Sequence, residues 1–248
     1  MRQVWVACLG VIVSCAAPGG GTRTPPARAP RGGPRQRAER MIRASEGTLA
    51  PVYAPLAEQI AREFALADKT GIGIDVGSGP GTLIVELCAR TQLHWVNADI
   101  NPHFFPYFYR LAEQRGVGHR VSAVLADAQR LPFRDGYADV VVSRGSYHFW
   151  PDRRKGFAEV YRVLKPGGVA YVGRGFPRTF PLAMAQAVRA KQGRGPSRYD
   201  PQQEAASLRT MLAKLGIRNA RVEVPKAPGG GDVNYGVWVT LRKPPATK

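Results

Sequence analysis

Apolar residues along this chain gather in short runs set between segments of helical spacing. Five runs, at residues 72–76, 94–98, 121–125, 138–142 and 169–172, have the length and the Val, Ile and Ala content of short strands. Runs this short, bounded by Gly, Asp and Pro, read as buried strands. An apolar helical segment, Leu83 to Ala89, follows the first run, and an aromatic one, Phe104 to Leu111, follows the second. Strands alternating with helices predict βαβ units around a parallel sheet, an α/β fold. Lys165-Pro166-Gly167-Gly168, ahead of the fifth strand, suits a type II turn. Beyond that strand, residues 177–200 mix helical and Gly/Pro character and predict a lid-like insertion. Asp200-Pro201 starts a helix of about 202–215 that stops at Gly216. Residues 221–224 and 235–241 read as a closing antiparallel pair joined across Gly229 to Gly231, which brings the strands to seven.

The junction of the first strand with its helix carries the most chemistry. Residues 70–81 read TGIGIDVGSGPG. Asp75 lies at the strand's end, and Gly77, Gly79 and Gly81 make a loop where a ligand can press on bare backbone. The helix start behind them offers unpaired N–H groups to a negative group. The G-x-G-x-G spacing is one residue tighter than the G-x-G-x-x-G of dinucleotide dehydrogenases. A nucleotide-type cofactor loop and an ordinary glycine-rich turn both satisfy it. Asp99, 24 residues after Asp75, ends the second strand. A carboxylate there accepts from two vicinal ribose hydroxyls, and it also suits a helix cap.

In order, DVGSGPG (75–81), Asp99, ADAQRLPF (126–133), DVVVS (139–143) and VLKPGG (163–168) form a set. This set resembles the class I S-adenosylmethionine-dependent methyltransferases, in particular the small-molecule type 11 or UbiE-like group, over roughly residues 52–172. The resemblance implies a Rossmann-like, doubly wound, mostly parallel seven-stranded sheet with a C-terminal antiparallel hairpin. It implies S-adenosyl-L-methionine as cofactor, with Gly77, Gly79 and Gly81 beside its methionine and ribose and with Asp75 and Ser78 in the same set. It implies that Asp99, joined by Ile100, holds the ribose, and that Asp127, flanked by Ala128, accepts from the adenine amino group. Ser143 and Arg144 are then placed near the sulfonium.

Ligands of open α/β sheets bind beyond the C-terminal strand ends. Residues 143–152, SRGSYHFWPD, follow the fourth strand and are dense in aromatics and donors. With Arg174 after the fifth strand, Tyr147 and Trp150 are the expected acceptor-lining residues. His148 is the candidate general base, because its ordinary pKa lies near neutrality. The alternative is that 148–150 pack under the next helix. Arg144 and Arg174 suit a clamp on an acceptor carboxylate or phosphate; the alternative is that either one pairs with a local acid or faces solvent. Tyr53 is placed to cover the cofactor or to staple the first helix.

The chain has 248 residues with a formal net charge of +18. Residues 1–40 hold seven arginines and one acid; the other 208 residues hold 29 basic and 17 acidic side chains, a net +12. That charge raises an RNA or DNA substrate as the alternative to a small-molecule acceptor. The segment after the fourth strand lacks an N-P-P-[FY] sequence, and Cys88 lies on the wrong element for a nucleophile, so nucleic acid is disfavoured. The histidines are scattered and no C-x-x-C occurs, so no metal site is expected.

Residues 1–40 read as a signal-like segment with a tether, and 41–248 as the domain. Val4 to Ala17 is an apolar run short for a membrane span. Ile12-Val13-Ser14-Cys15 resembles a lipobox, with Cys15 as the lipidated residue, and residues 18–34 are rich in Pro, Gly and Arg. An exported lipoprotein, in function a non-catalytic envelope protein on this fold, is therefore one expectation, and an uncleaved anchor with its domain inside the cell is a second, with membrane contact through residues 1–17. Six arginines follow the run and only Arg2 precedes it, which favours a domain facing the cytoplasm. A start at Met41 is the third alternative. Acceptor atom and oligomeric state have no sequence signature here.

Overall fold

A computed structural model describes residues 32–192, 199–231 and 233–246. Seven strands form one sheet: β1 (Ile72–Val76), β2 (His94–Asp99), β3 (Val121–Leu125), β4 (Ala138–Arg144), β5 (Leu164–Gly175), β6 (Ala220–Glu223) and β7 (Gly236–Arg242). Their order is β3-β2-β1-β4-β5-β7-β6. The first five pair in parallel, and β7 runs antiparallel between β5 and β6. This is the expected doubly wound sheet with its antiparallel hairpin. Strand order reverses at β1 and β4, the switch point where α/β sheets bind ligands.

Helices cover both faces. On one face lie α2 (Ala50–Glu63), α3 (Thr82–Cys88) and α4 (Phe105–Gln114), burying Leu56, Ile60, Leu83 and Phe108 against Trp95, Val140 and Val142. On the other lie α5 (Arg153–Val163) and α7 (Pro201–Lys214), burying Phe157, Val160, Leu208 and Leu212 against Ile74, Val141 and Val172. Alternate residues of a strand face opposite sides, so β1 and β4 feed both cores. Gly73 has no side chain because the Trp95 ring lies across it; a Cβ would stand 2.5 Å from Trp95 Cε3. Cys88 is buried here, and burial pushes its thiol up to about 11, as suits a core residue.

Three elements extend beyond the sequence pattern. β4 continues to Arg144, carrying Ser143 and Arg144 inside the ladder. β5 begins at Leu164 and bulges: its partner register jumps from Ala138↔Leu164 to Val140↔Val169. Gly167 supplies φ 78° at that excursion, the value a type II turn needs at its second central position. A helix not foreseen, α1 (Pro34–Glu46), crosses the boundary drawn between residues 40 and 41. It has only Ala38 and Ser45 buried, with Met41 and Ala44 packed beside them, so its inward stripe is small and set in arginine-rich sequence. Met41 lies within it.

In the predicted lid, α6 (Leu182–Lys191) is observed, and residues 193–198 lie outside the described residues. So do the apolar run, Cys15 and the tether as far as residue 31. Among the described residues no helix is long and apolar enough to cross a membrane, and no cluster of metal-ligating side chains occurs.

Candidate cofactor and acceptor site

The glycine loop leaves β1 at the switch point. Gly77 (φ 68°) passes so near β4's end that a Cβ would collide with Ser146 Oγ. Gly81 (φ 76°) takes the left-handed conformation that caps α3, and a Cβ there would strike the Phe108 ring. Any other residue would need both strain and displacement. Gly79 has open space by comparison: Phe104 Cζ and Met41 Cγ stand 3.8 and 3.9 Å from where a Cβ would be. The α1 helix therefore roofs the loop, and Asn101 Nδ2 fixes it by donating to Pro34 O at 2.9 Å.

Three polar side chains converge beneath this roof from one face of the sheet. Asp99 Oδ2 accepts from Gly79 N at 2.7 Å, and Oδ1 accepts from Asn101 N at 2.8 Å. Burial raises its pKa against those backbone donors. Asn97, fully buried, donates from Nδ2 to Gly79 O at 3.1 Å. Asp75 Oδ2 accepts from Ser78 Oγ at 2.8 Å, while its buried Oδ1 has no hydrogen-bond partner. Burial, helped by the Asp99 charge and opposed by Ser78 and Arg144, pushes Asp75 up to about 7. Arg144 lies over the Tyr53 ring at 5.3 Å and reaches Gly175 O at 3.4 Å. Tyr53 is buried and its phenol is raised by that burial, with Arg144 opposing.

Ile100 follows Asp99 and is 68% exposed, a large aliphatic side chain held in solvent at the end of β2. Ala126 N donates to Asp99 O at 2.9 Å, which sets the turn after β3 beside it. Asp127 is exposed there, but its carboxylate closes on its own turn, accepting from Gln129 N at 2.9 Å and from Gln129 Nε2. To receive an adenine amino group it must share or release Gln129. Ala128 packs into the core.

Several expectations change. Ser143 is buried and donates to Val76 O at 2.7 Å, so it laces β4 to the end of β1 instead of facing a ligand. Tyr147 and Trp150, expected at the acceptor, are core residues: both pack on Phe157 of α5, and Trp150 Nε1 donates to Ser146 Oγ at 3.1 Å. A short helical turn over 147–149 rotates them inward and leaves Phe149 76% exposed. His148 is half-buried between Tyr147 and Phe149. The paired clamp also fails. Arg144 is in register with Gly173, so Arg174 is one residue out of step and leaves the sheet on the opposite face. There it lies 4.1 Å over the Tyr199 ring.

Asn97, Ser146 and Met41 were not anticipated. Asn97 had a signal, a polar residue inside the buried run HWVNA. Ser146 and Met41 had none, because their place depends on the glycine loop folding against them.

The sheet order, the glycine loop and the Asp75–Asp99 pair have the arrangement of a class I methyltransferase domain. Comparison with known proteins agrees. Residues 74–172 match the family model described as a methyltransferase domain. The chain is 38% identical over 98 residues to the 2-methyl-6-phytyl-1,4-hydroquinone methyltransferase of Arabidopsis thaliana, covering 39% of this chain and 28% of that one. It is 38% identical over 96 residues to the demethylmenaquinone methyltransferase of Thermus thermophilus, covering 38% and 43%. The chain thus spans well under half the length of these curated relatives. Among solved structures, one described as a candidate S-adenosyl-L-methionine-dependent methyltransferase from Methanococcus maripaludis superposes with a TM-score of 0.74 at 26% identity, covering 89% of this chain and 99% of that one. Over residues 74–172 the chain thus carries a methyltransferase domain, and it is similar there to S-adenosylmethionine-dependent methyltransferases.

Proposed function

We propose that the chain transfers a methyl group from S-adenosylmethionine to a small-molecule acceptor. The observation that carries this reading is the buried, unpaired Asp75 Oδ1 beside a glycine loop whose amide is already held by Asp99. A buried acceptor without a donor is costly unless a ligand completes it. The ammonium of an amino-acid-bearing cofactor is the complementary group. Asp99 retains carboxylate lone pairs for vicinal hydroxyls after its two amide bonds. The relatives named above act, by their names, on a hydroquinone and on demethylmenaquinone.

When bound, S-adenosylmethionine supplies a methyl group activated as a sulfonium. Asp75 would hold its ammonium and Asp99 its ribose hydroxyls. Tyr53 and Arg144 close the side under α2, and Met41 and Phe104 exclude water above Gly79. Alignment and dryness are the main contributions a protein makes to an in-line displacement. His148 takes the acceptor proton where one must leave. For compartment, the reading is a domain facing the cytoplasm, supported by the six arginines after the apolar run. A lipidated peptide beginning at Cys15 in mass spectra of cell envelopes would overturn that reading.

The test is acceptor-dependent formation of S-adenosylhomocysteine by the full chain, across phenols, amines and carboxylates, with Asp99→Ala as control. Turnover on a small molecule that the variant loses supports the proposal. Turnover confined to RNA refutes it.

A further inference from the structure

We propose that the methyl acceptor carries a carboxylate or phosphate group and that Arg174 holds it; this rests on the methyl-transfer reading above. Arg174 stands near the C-terminal end of β5, the strand beside β4, so it lies at the ligand-binding edge on the acceptor side. Its side chain leaves on the α5/α7 face, away from Asp75 and Asp99. The cofactor's own ends therefore have no call on it, and Arg144 is left to the cofactor face.

Of the basic side chains near this edge, Arg144 rests on the Tyr53 ring and Arg189 on the Phe176 ring, while Arg153 and Arg178 are matched by acids. Arg153 pairs with Glu204 at 2.9 Å. Arg178 pairs with Glu63 and with Glu223. Among the described residues Arg174 has no carboxylate within ion-pairing distance; its recorded contact is the Tyr199 ring. The segment around it in sequence offers no acid, and Glu204, the acid that acts on Tyr147 and Tyr199 beside it, is paired with Arg153. Residues 160–199 contain eight Lys and Arg and no Asp or Glu. A half-buried guanidinium without a counter-charge is disfavoured, and stacking on a tyrosine face offsets part of that. Stacking also fixes the plane of the guanidinium fork while leaving its edge donors to bind. That is the geometry for bidentate capture of a carboxylate or phosphate. The ring holding Arg174 comes from the start of the segment leading into α7, whose N-cap is Asp200. Arg174 is thus a positioned cation at the C-terminal edge of the sheet.

The experiment titrates benzoate, phenyl phosphate and the neutral isostere benzamide into the full chain saturated with S-adenosylhomocysteine. One of the two anions should bind at least tenfold tighter than benzamide, and which one tells carboxylate from phosphate. Arg174→Gln should abolish the preference and Arg174→Lys should keep part of it. Both variants should hold S-adenosylhomocysteine within twofold of the parent and melt at the same temperature. No preference for either anion, or a preference that survives Arg174→Gln, overturns the proposal while leaving the cofactor reading intact. Failure of S-adenosylhomocysteine to bind at all removes both. An oligouridylate that binds more than tenfold tighter than phenyl phosphate, with steep salt dependence, would replace a small anion by nucleic acid.

Discussion

Asp99 and Gly79 meet through a 2.7 Å hydrogen bond that ties the end of β2 to the glycine loop. Asn97, two residues back on the same face, holds the other side of the same glycine through its carbonyl. Both backbone polar groups of Gly79 are therefore fixed by β2 before any ligand arrives. The loop is preorganised by side chains of which Asp99 also belongs to the proposed cofactor site, so loop order and cofactor binding should be coupled.

Asp75 makes that binding pH-dependent. Its folded pKa of about 7 lies above the ordinary carboxylate value near 4. Between those values the folded chain keeps a proton that the unfolded chain has released. Stability without ligand therefore falls as pH rises through the window, and the full penalty is present above about 7. The ionised form is the partner for an ammonium. Affinity for S-adenosylhomocysteine should rise about tenfold between pH 6 and pH 8, and Asp75→Asn should flatten the profile. The same variant should melt higher than the parent above pH 7. Calorimetry and thermal melts at both pH values check this; a flat parent profile contradicts it.

Gly73 and Trp95 share one volume. Gly73→Ala should cost about 1–3 kcal/mol by overpacking a ring that is fully buried and tied to Thr91 Oγ1. Shrinking the ring should return the space, so Gly73→Ala should be less harmful in a Trp95→Leu background. Urea unfolding of the four proteins gives the coupling; strict additivity would show that the ring has room to move.

Ser143 and Ser146 both donate to the Val76 carbonyl, at 2.7 and 2.9 Å. Either alanine variant leaves that carbonyl one donor and should cost about 1 kcal/mol. The double variant leaves it bare, and should cost more than the sum and weaken S-adenosylhomocysteine binding, because the next residue is Gly77. Equal binding in all four proteins would separate this lacing from the cofactor loop.

His148→Ala should lower kcat more than tenfold, with cofactor affinity unchanged, if the acceptor loses a proton during transfer. Phe149→Ala, its exposed neighbour, should leave kcat within a few-fold and raise KM. An unchanged kcat in His148→Ala assigns the histidine to packing beside Tyr147.

The sheet was readable because short apolar runs bounded by glycine and acid leave few alternatives. The positions of Asp75 and Asp99 followed, since strand ends place them. Contacts made across the fold were not readable. Tyr147 and Trp150 sit in a loop dense in aromatics, and only a turn that rotates them onto Phe157 decides that they face the core. Arg144 and Arg174 look equivalent along the chain, and a single residue of register between β4 and β5 puts them on opposite faces. Helix α1 hides in arginine-rich sequence because its buried side is as small as Ala38 and Ser45.

The most direct measurement is calorimetric titration of S-adenosylhomocysteine into the full chain beside Asp99→Ala. Micromolar binding that the variant loses, with both proteins folded, is the expected result. A folded chain that takes up no S-adenosylhomocysteine would contradict the cofactor site and the methyl transfer built on it.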